Sequence, residues 1–407
     1  MTREPSPDRV AASGRQGATP SSVRRHNLGV LLERLHLDGP TSRSRLGAAT
    51  GLTRSTIAEL VGELGALGLV TETGRVQSSG FGRPSSVVDV DAPGAVVLAV
   101  ELAVESVAVA VVGLGGTVLA SERVGLPRGT LTAAGAVRRV TTMAGPLLAA
   151  HRERLTGVGV AVPGLVRRSD GFVHVAPNLG WDDVPLGRLL GEALRVPVRI
   201  EVANEADLGA LGEHRRGAGR GAETMVFVSG DVGIGAGLVV DGRPMLGAAG
   251  YAGEAGHVLV DPDGRPCTCG SRGCWETEAG EVALLRAAGL DTTHGHAALS
   301  RLLVRLDSGD QQAALAVAGV ARWVGLGIGN LVNLLNPEVV VLGGFLQQFH
   351  RHMEPALESA LAARALTQPR QVVRVVPGSL GPLAQLHGAA ELALRDLVLD
   401  PWAAGAG

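Results

Sequence analysis

Eight apolar segments beyond residue 91 (VVLAVEL, SVAVAVVGL, GVGVAV, PVRIEVA, TMVFVSG, GAGLVV, PEVVVLG and QVVRVV) are short, rich in valine and separated by stretches of helical patterning. Branching at Cβ stiffens valine and isoleucine and suits them to a pleated surface. Runs this short and continuous read as buried strands, and their alternation with helices restricts the chain to an α/β architecture. No linker rich enough to separate modules follows residue 95, so this part should form closely packed lobes. At 407 residues the chain exceeds one ordinary domain, with ample apolar sequence for real cores.

Composition is that of a soluble globular protein. No uninterrupted apolar run approaches the roughly 18 to 20 residues that span a bilayer. The N-terminus lacks the apolar region of a secretory signal, so a cytoplasmic location without membrane attachment is expected. All 37 basic residues are arginine, a bias that a GC-rich coding sequence explains without chemistry. Charge is uneven: residues 1–85 carry 11 Arg against 7 acids, and the remainder 26 against 32. A basic N-terminal part on an otherwise acidic chain is expected where only one end meets nucleic acid.

Residues 1–22, polar and without a periodic apolar face, read as a disordered leader. From Val23 to about Val90 the pattern is short helices followed by a hairpin. Leu28, Leu31, Leu32 and Leu35 form one apolar face, ended by Asp38-Gly39-Pro40. A second helix follows Thr41 or Ser42, and Thr50-Gly51-Leu52 makes a turn into a third that Thr53 can cap. SRLGAATGLTRSTIAELVGEL fits a helix-turn-helix, with Leu46, Ile57 and Leu60 as its small core, and Val70–Val76 with Ser86–Val90 can pair as a wing. In that geometry Thr53, Arg54, Ser55 and Thr56 face the major groove, where Arg54 can read a guanine edge. Arg43, Arg45 and Arg83 are expected on phosphates. One such unit covers a half-site, so a homodimer, or a tetramer, on a near-palindromic operator DNA is expected.

All three cysteines lie between positions 267 and 274, in CTCGSRGCWE, and His257 of GEAGH stands ten residues before the first. An odd, clustered set in a cytoplasmic chain argues for metal rather than disulfides. Three thiolates and one imidazole, from Cys267, Cys269, Cys274 and His257, make a closed tetrahedral set suited to a structural Zn²⁺.

GEAGH followed by CTCGSRGCWE resembles the signature of the ROK proteins: repressors, uncharacterised reading frames and sugar kinases. Further matching pieces are VAVPGLV (160–166), APNLGW (176–181), VANEADLGALGE (202–213), GDVGIGAG (230–237), NLVNLLNPEVVVLGG (330–344) and the terminal GSLGPLAQLHGAA. The resemblance implies a winged helix-turn-helix over 23–90, then the two-lobed actin-like ATPase (ribonuclease H-like) α/β fold enclosing a sugar cleft. One lobe would span 91–205, completed by a C-terminal helix at about 384–400, and the other 206–383. Asn204, Glu254, His257 and Glu276 match positions that hold sugar hydroxyls, with Asn178 and Glu205 as further contacts. His257 could bind zinc through one ring nitrogen and sugar through the other. The effector implied is a monosaccharide or sugar phosphate.

Phosphoryl transfer is compromised twice in this comparison. Glu205 stands where the kinases carry an aspartate base, and its extra methylene moves the carboxylate on the order of 1 Å, enough to cost roughly a hundredfold. Glu101-Leu102-Ala103-Val104-Glu105 replaces their Gly-rich phosphate hairpin, where bulk and a second carboxylate would repel a triphosphate. Val232 replaces a threonine of the second phosphate loop, while Gly233, Gly235 and Gly237 remain. The expectation is a sugar-responsive regulator that lacks efficient phosphoryl transfer; the alternative is an active ROK sugar kinase carrying a DNA-binding domain.

Overall fold

The computed structural model describes residues 19–76 and 85–402, and contacts divide the chain into Met1–Asp89 with Asp396–Gly407, and Val90–Arg395. In the smaller unit, helix α1 (Pro20–Asp38) starts inside the segment expected as leader, with Thr19 Oγ1 accepting from Ser22 N at 3.2 Å. Residues 1–18 of that segment lie outside the described residues. Leu28, Leu31, Leu32 and Leu35 are fully buried, as their helical spacing requires.

Helix α2 (Arg43–Thr50) is capped by Ser42 and helix α3 (Arg54–Ala66) by Thr53. Between them Gly51 takes φ +72, a left-handed conformation that glycine enters at little cost. Leu46, Ile57 and Leu60 are at most 1% exposed and form the inter-helix core. The hairpin strands Val70–Val76 and Ser85–Val90 are joined by a third, Thr41–Ser42, which pairs antiparallel with Val87 and Val88. The end of the chain also belongs to this unit: Arg25 is ion-paired with Asp400, and a Cβ on Gly29 would stand 2.3 Å from Leu399 O.

The larger unit contains two five-stranded sheets of one design. In the first, Val96–Leu102 lies between Ser106–Gly113, which leads to the edge strand Val118–Gly125, and Leu155–Val162, which leads to Ile200–Asn204. In the second, Met225–Gly230 lies between Ile234–Val240, leading to Arg243–Pro244, and Val339–Gly343, leading to Arg374–Pro377. In both, the first three strands in chain order pair antiparallel and the last two parallel. This repeated order is the ribonuclease H-like arrangement, and the actin-like fold is present.

Sequence and structure differ at particular strands. Gln371 and Val372 of QVVRVV end the helix Thr367–Val372, and the strand begins at Arg374. A small three-stranded sheet (Leu165–Arg167, Phe172–Ala176, Trp181–Val184) is inserted after the first lobe's fourth strand. Val118–Gly125 escaped the apolar patterning because it is a half-solvated edge, where polar side chains also discourage pairing with other chains.

Helix Glu205–Arg216 leaves the last strand of the first sheet and packs on the second, where a Cβ on Gly237 would come within 2.3 Å of Ala206 O. The C-terminal helix Ala384–Leu399 lies on the first sheet: a Cβ on Gly159 would stand 2.0 Å from Ala389 O. Helix Gln311–Leu335 is long and apolar enough to cross a bilayer, but 61% of its most apolar window is buried in the fold. It is a core helix of the second lobe, where Val317, Val324 and Ile328 join Phe345 and Phe349.

Candidate functional site

Ligand atoms of His257, Cys267, Cys269 and Cys274 all lie within 4.8 Å of one another. Cys269 Sγ is 3.7 Å from Cys274 Sγ, and Cys267 Sγ is 3.6 Å from His257 Nδ1. A zinc tetrahedron with bonds of ~2.3 Å to sulfur and ~2.05 Å to nitrogen has edges of about 3.8 Å between sulfurs and about 3.6 Å from sulfur to nitrogen. These two separations match such edges, and the set of donors is compatible with that ion. Backbone builds the loop: Cys267 N donates to Ser271 O at 2.9 Å, and Gly273, at φ +66, packs against Asp261 O where a Cβ could not fit. Burial raises the Cys267 and Cys274 thiols, whereas the Ser271 N–H lowers that of Cys269.

Beside the cluster stand two carboxylates expected from the sequence. Nδ1 of His257 faces the cysteines, while Nε2 lies 3.9 Å from Glu254 Oε2. Glu276 Oε1 is 3.5 Å from His257 Nδ1 and accepts from Cys267 Sγ at 2.9 Å. Trp275, 1% exposed, anchors this turn by donating from Nε1 to Trp323 O at 2.9 Å, which fixes the backbone that carries Glu276.

Asn204 ends its strand and caps helix Glu205–Arg216: Oδ1 accepts from Ala206 N at 2.7 Å and Asp207 N at 3.4 Å, and Nδ2 donates to Gly164 O at 3.0 Å. Its acceptor is thus occupied, leaving one amide hydrogen for a ligand. Glu205 is half-buried, and its acid is raised well above the usual range by burial first, then by repulsion from Asp231 and Glu101. Asp207, which the sequence does not single out, follows on the same helix and is repelled by Glu254. Its carboxyl lies 4.0 Å from where a Cβ on Gly253 would sit. Burial, with repulsion from Glu254 and against attraction from Arg168, pushes it up to about 7. Asn178 is exposed on the turn Pro177–Leu179 and shares no hydrogen bond with the other site residues.

The hairpin at 101–105 turns both its carboxylates onto protein partners. Glu101 Oε2 accepts from Arg123 Nη2 at 2.6 Å, and Glu105 accepts from the backbone N–H groups of Gly295 and His296, both at 3.1 Å. Glycines of the second loop serve packing: Cβ atoms on Gly233 and Gly237 would lie 2.3 Å from Glu276 Oε2 and from Ala206 O. Gly343 likewise makes room for the Phe227 ring.

In the smaller unit, Thr53, Arg54 and Ser55 are exposed at the start of α3 and Thr56 is half-buried. Thr53 Oγ1 lies 2.9 Å from the hydroxyls of both Ser55 and Thr56. Arg45 is exposed, whereas Arg43 is ion-paired with Glu72 on the hairpin. Arg83 falls outside the described residues.

Two ribonuclease H-like repeats, with a Cys₃His loop beside the carboxylates of Glu254 and Glu276 and a helix-turn-helix unit before them in the chain, define an actin-like protein of the sugar-kinase type with an N-terminal extension. The sequence profile of the ROK family matches residues 97–396. The chain belongs to the ROK family. It is 29% identical to the xylose repressor of Bacillus spizizenii over 376 residues, covering 92% of this chain and 96% of that protein. Among solved structures it is similar to a ROK family transcriptional regulator, a homologue of the Escherichia coli Mlc protein (TM-score 0.75, 26% identity, 95% of this chain and 100% of that one). It is also similar to the ROK glucokinase of Streptomyces griseus solved with glucose and AMPPNP (TM-score 0.65, 27% identity, 74% of this chain and 99% of that one).

Proposed function

We propose that the chain is a cytoplasmic, sugar-responsive transcriptional repressor of carbohydrate uptake or catabolism genes, with a kinase-like sensor that no longer transfers phosphoryl groups efficiently. The observation that carries this reading is the hairpin at 101–105, whose carboxylates pair with Arg123 and cap the helix at Gly295 while Glu254, His257 and Glu276 stay gathered. Likeness to a repressor along nearly the whole chain supports it.

In this reading Asn204, Glu205, Glu254, His257 and Glu276 hold the hydroxyls of a monosaccharide or its phosphate, with Asn178 at the rim. A structural Zn²⁺ on His257 Nδ1, Cys267, Cys269 and Cys274 would fix the imidazole tautomer and leave Nε2 for the ligand. Thr53, Arg54, Ser55 and Thr56 would enter the major groove of operator DNA, with Arg45 and Arg83 on phosphates. Arg43, engaged by Glu72, would serve mainly to fix the hairpin against α2. The working form is a homodimer, each protomer on one half-site. Sugar changes DNA affinity only if it binds one arrangement of the protein better than the other, and a tenfold effect needs about 1.4 kcal/mol of difference.

A second reading, an active sugar kinase, draws on the likeness to the glucokinase. A thermal-shift screen of monosaccharides, their phosphates and amino sugars, paired with footprinting upstream of the protein's own and neighbouring genes, tests the first. A stabilising sugar and a protected site are expected. No protection anywhere in that DNA would remove the regulatory claim.

A further inference from the structure

We propose that Glu105 and Arg128 are positioning residues for the sugar site, forming a clasp between the two lobes that fixes the segment on which Glu276 rests. The inference depends on the sugar-binding reading of that site. Glu105 and Arg128 come from the first lobe; Glu281, Thr292, Gly295 and His296 come from the second.

Glu105 caps the start of the 13-residue helix Gly295–Asp307 by accepting from Gly295 N and His296 N, both at 3.1 Å. A carboxylate there meets both unpaired amide hydrogens and the positive end of the helix dipole. Arg128 completes the clasp, with Nε 3.5 Å from Glu105 Oε1, Nη2 donating to Glu281 Oε1 at 2.7 Å and Nη1 to Thr292 O at 3.1 Å. The three side chains are 11% (Glu105), 18% (Arg128) and 5% (Glu281) exposed, so solvent screens these charges little; the Glu105–Arg128 contact is an ion pair without a hydrogen bond from Nε. Gly295 is enclosed by the network: a Cβ would lie 2.2 Å from Arg128 Nη2 and 2.4 Å from Glu281 Oε1.

The clasp continues to the site through contiguous contacts. Glu281 N donates to Asp231 O at 3.1 Å, and Asp231 N to Gly233 O at 3.0 Å. Gly280 packs on this loop, where a Cβ would come within 2.9 Å of Val232 O. Gly233 in turn lies flat against the Glu276 carboxylate, which a Cβ would approach to 2.3 Å. Loosening Glu105 or Arg128 frees the 231–234 loop and with it the surface that orients Glu276. Neither clasp residue needs to touch sugar for this effect.

The test is a double-mutant cycle on the full-length, zinc-loaded protein, with D-xylose, D-glucose and N-acetyl-D-glucosamine each titrated by calorimetry. For a probe that binds, Glu105→Gln and Arg128→Met should each raise Kd roughly tenfold or more, as coupling of this kind allows, with one zinc per chain retained. In a Glu276→Gln background neither change should add appreciably. Equal losses in both backgrounds would mean general loosening and overturn the proposal. So would an unchanged Kd in a variant whose Gly295 and His296 amides exchange hydrogen faster than in the parent, because the clasp would then be open without consequence. If none of the probes, nor any other monosaccharide, binds the parent protein, the sugar-binding reading itself fails and this inference with it.

Discussion

Glu101 Oε2 stands 2.6 Å from Arg123 Nη2, and the same guanidinium donates to Pro382 O at 2.9 Å and to Ser106 Oγ at 3.0 Å. The first carboxylate of the hairpin is therefore paired within the protein, and three of the five N–H donors of Arg123 are engaged there. Purified protein should show no ATP-dependent phosphorylation of hexoses in a coupled assay. Glu205→Asp alone should not restore it, because Glu101 and Glu105 remain in place. Turnover by that single variant would locate the defect at the base position instead.

Metal content is the next expectation. Cys269→Ser removes one of four donors gathered within 4.8 Å of one another. Bound zinc should fall from one per chain to a small fraction, measured by elemental analysis, and sugar response should fall with it. Unchanged sugar binding in a zinc-free protein would contradict the role given to His257.

Asp207 makes stability depend on pH. Its acid is raised by burial first, and by Glu254, to about 7 from an ordinary value of 3.8. Between those values the folded protein holds a proton that the unfolded chain has lost, so this group's contribution turns against the fold as pH rises from about 4 to 7. Asp207→Asn should remove the penalty, raising Tm by several degrees at pH 8 and hardly at all at pH 4. An equal shift at both values would mean that Asp207 is not the titrating group.

On DNA, Arg54→Ala and Arg45→Ala should differ in kind. Losing a base-reading arginine should cost about 1 to 3 kcal/mol and relax discrimination at one position. Losing a phosphate contact should weaken all sequences alike and reduce the salt slope by about one. Arg43→Ala should instead loosen the α2–hairpin contact made with Glu72, visible as earlier loss of DNA binding on heating the full-length protein rather than as altered specificity. Competition anisotropy over a range of salt, before and after mild heating, separates the three.

Much of this was legible in the sequence, for identifiable reasons. Continuous apolar runs such as VVLAVEL and TMVFVSG report strands buried on both faces, and the Cys₃His loop is compact enough to be read locally. The boundary signals at Ser42, Gly51 and Thr53 also act within a few residues. Contacts between distant segments were not legible. Arg123 sits on an exposed edge strand with no apolar pattern, and Arg128 reaches Glu281 across 153 residues. Asn204 shows a related limit: its residue type suits a sugar contact and a helix cap equally, and only the structure places its oxygen on Ala206 N and Asp207 N. The hairpin at 101–105 could be seen to lack glycine, but that Glu105 caps a helix of the opposite lobe depends on the fold of both.

The most direct measurement is fluorescence anisotropy of a labelled duplex carrying the footprinted site, titrated with full-length protein with and without the monosaccharide that most raises its Tm. Saturating sugar should weaken DNA binding at least about tenfold, a coupling of about 1.4 kcal/mol, and ATP should change nothing. Identical DNA affinity with and without the sugar, together with ATP-dependent consumption of that sugar, would contradict the repressor reading and favour the kinase.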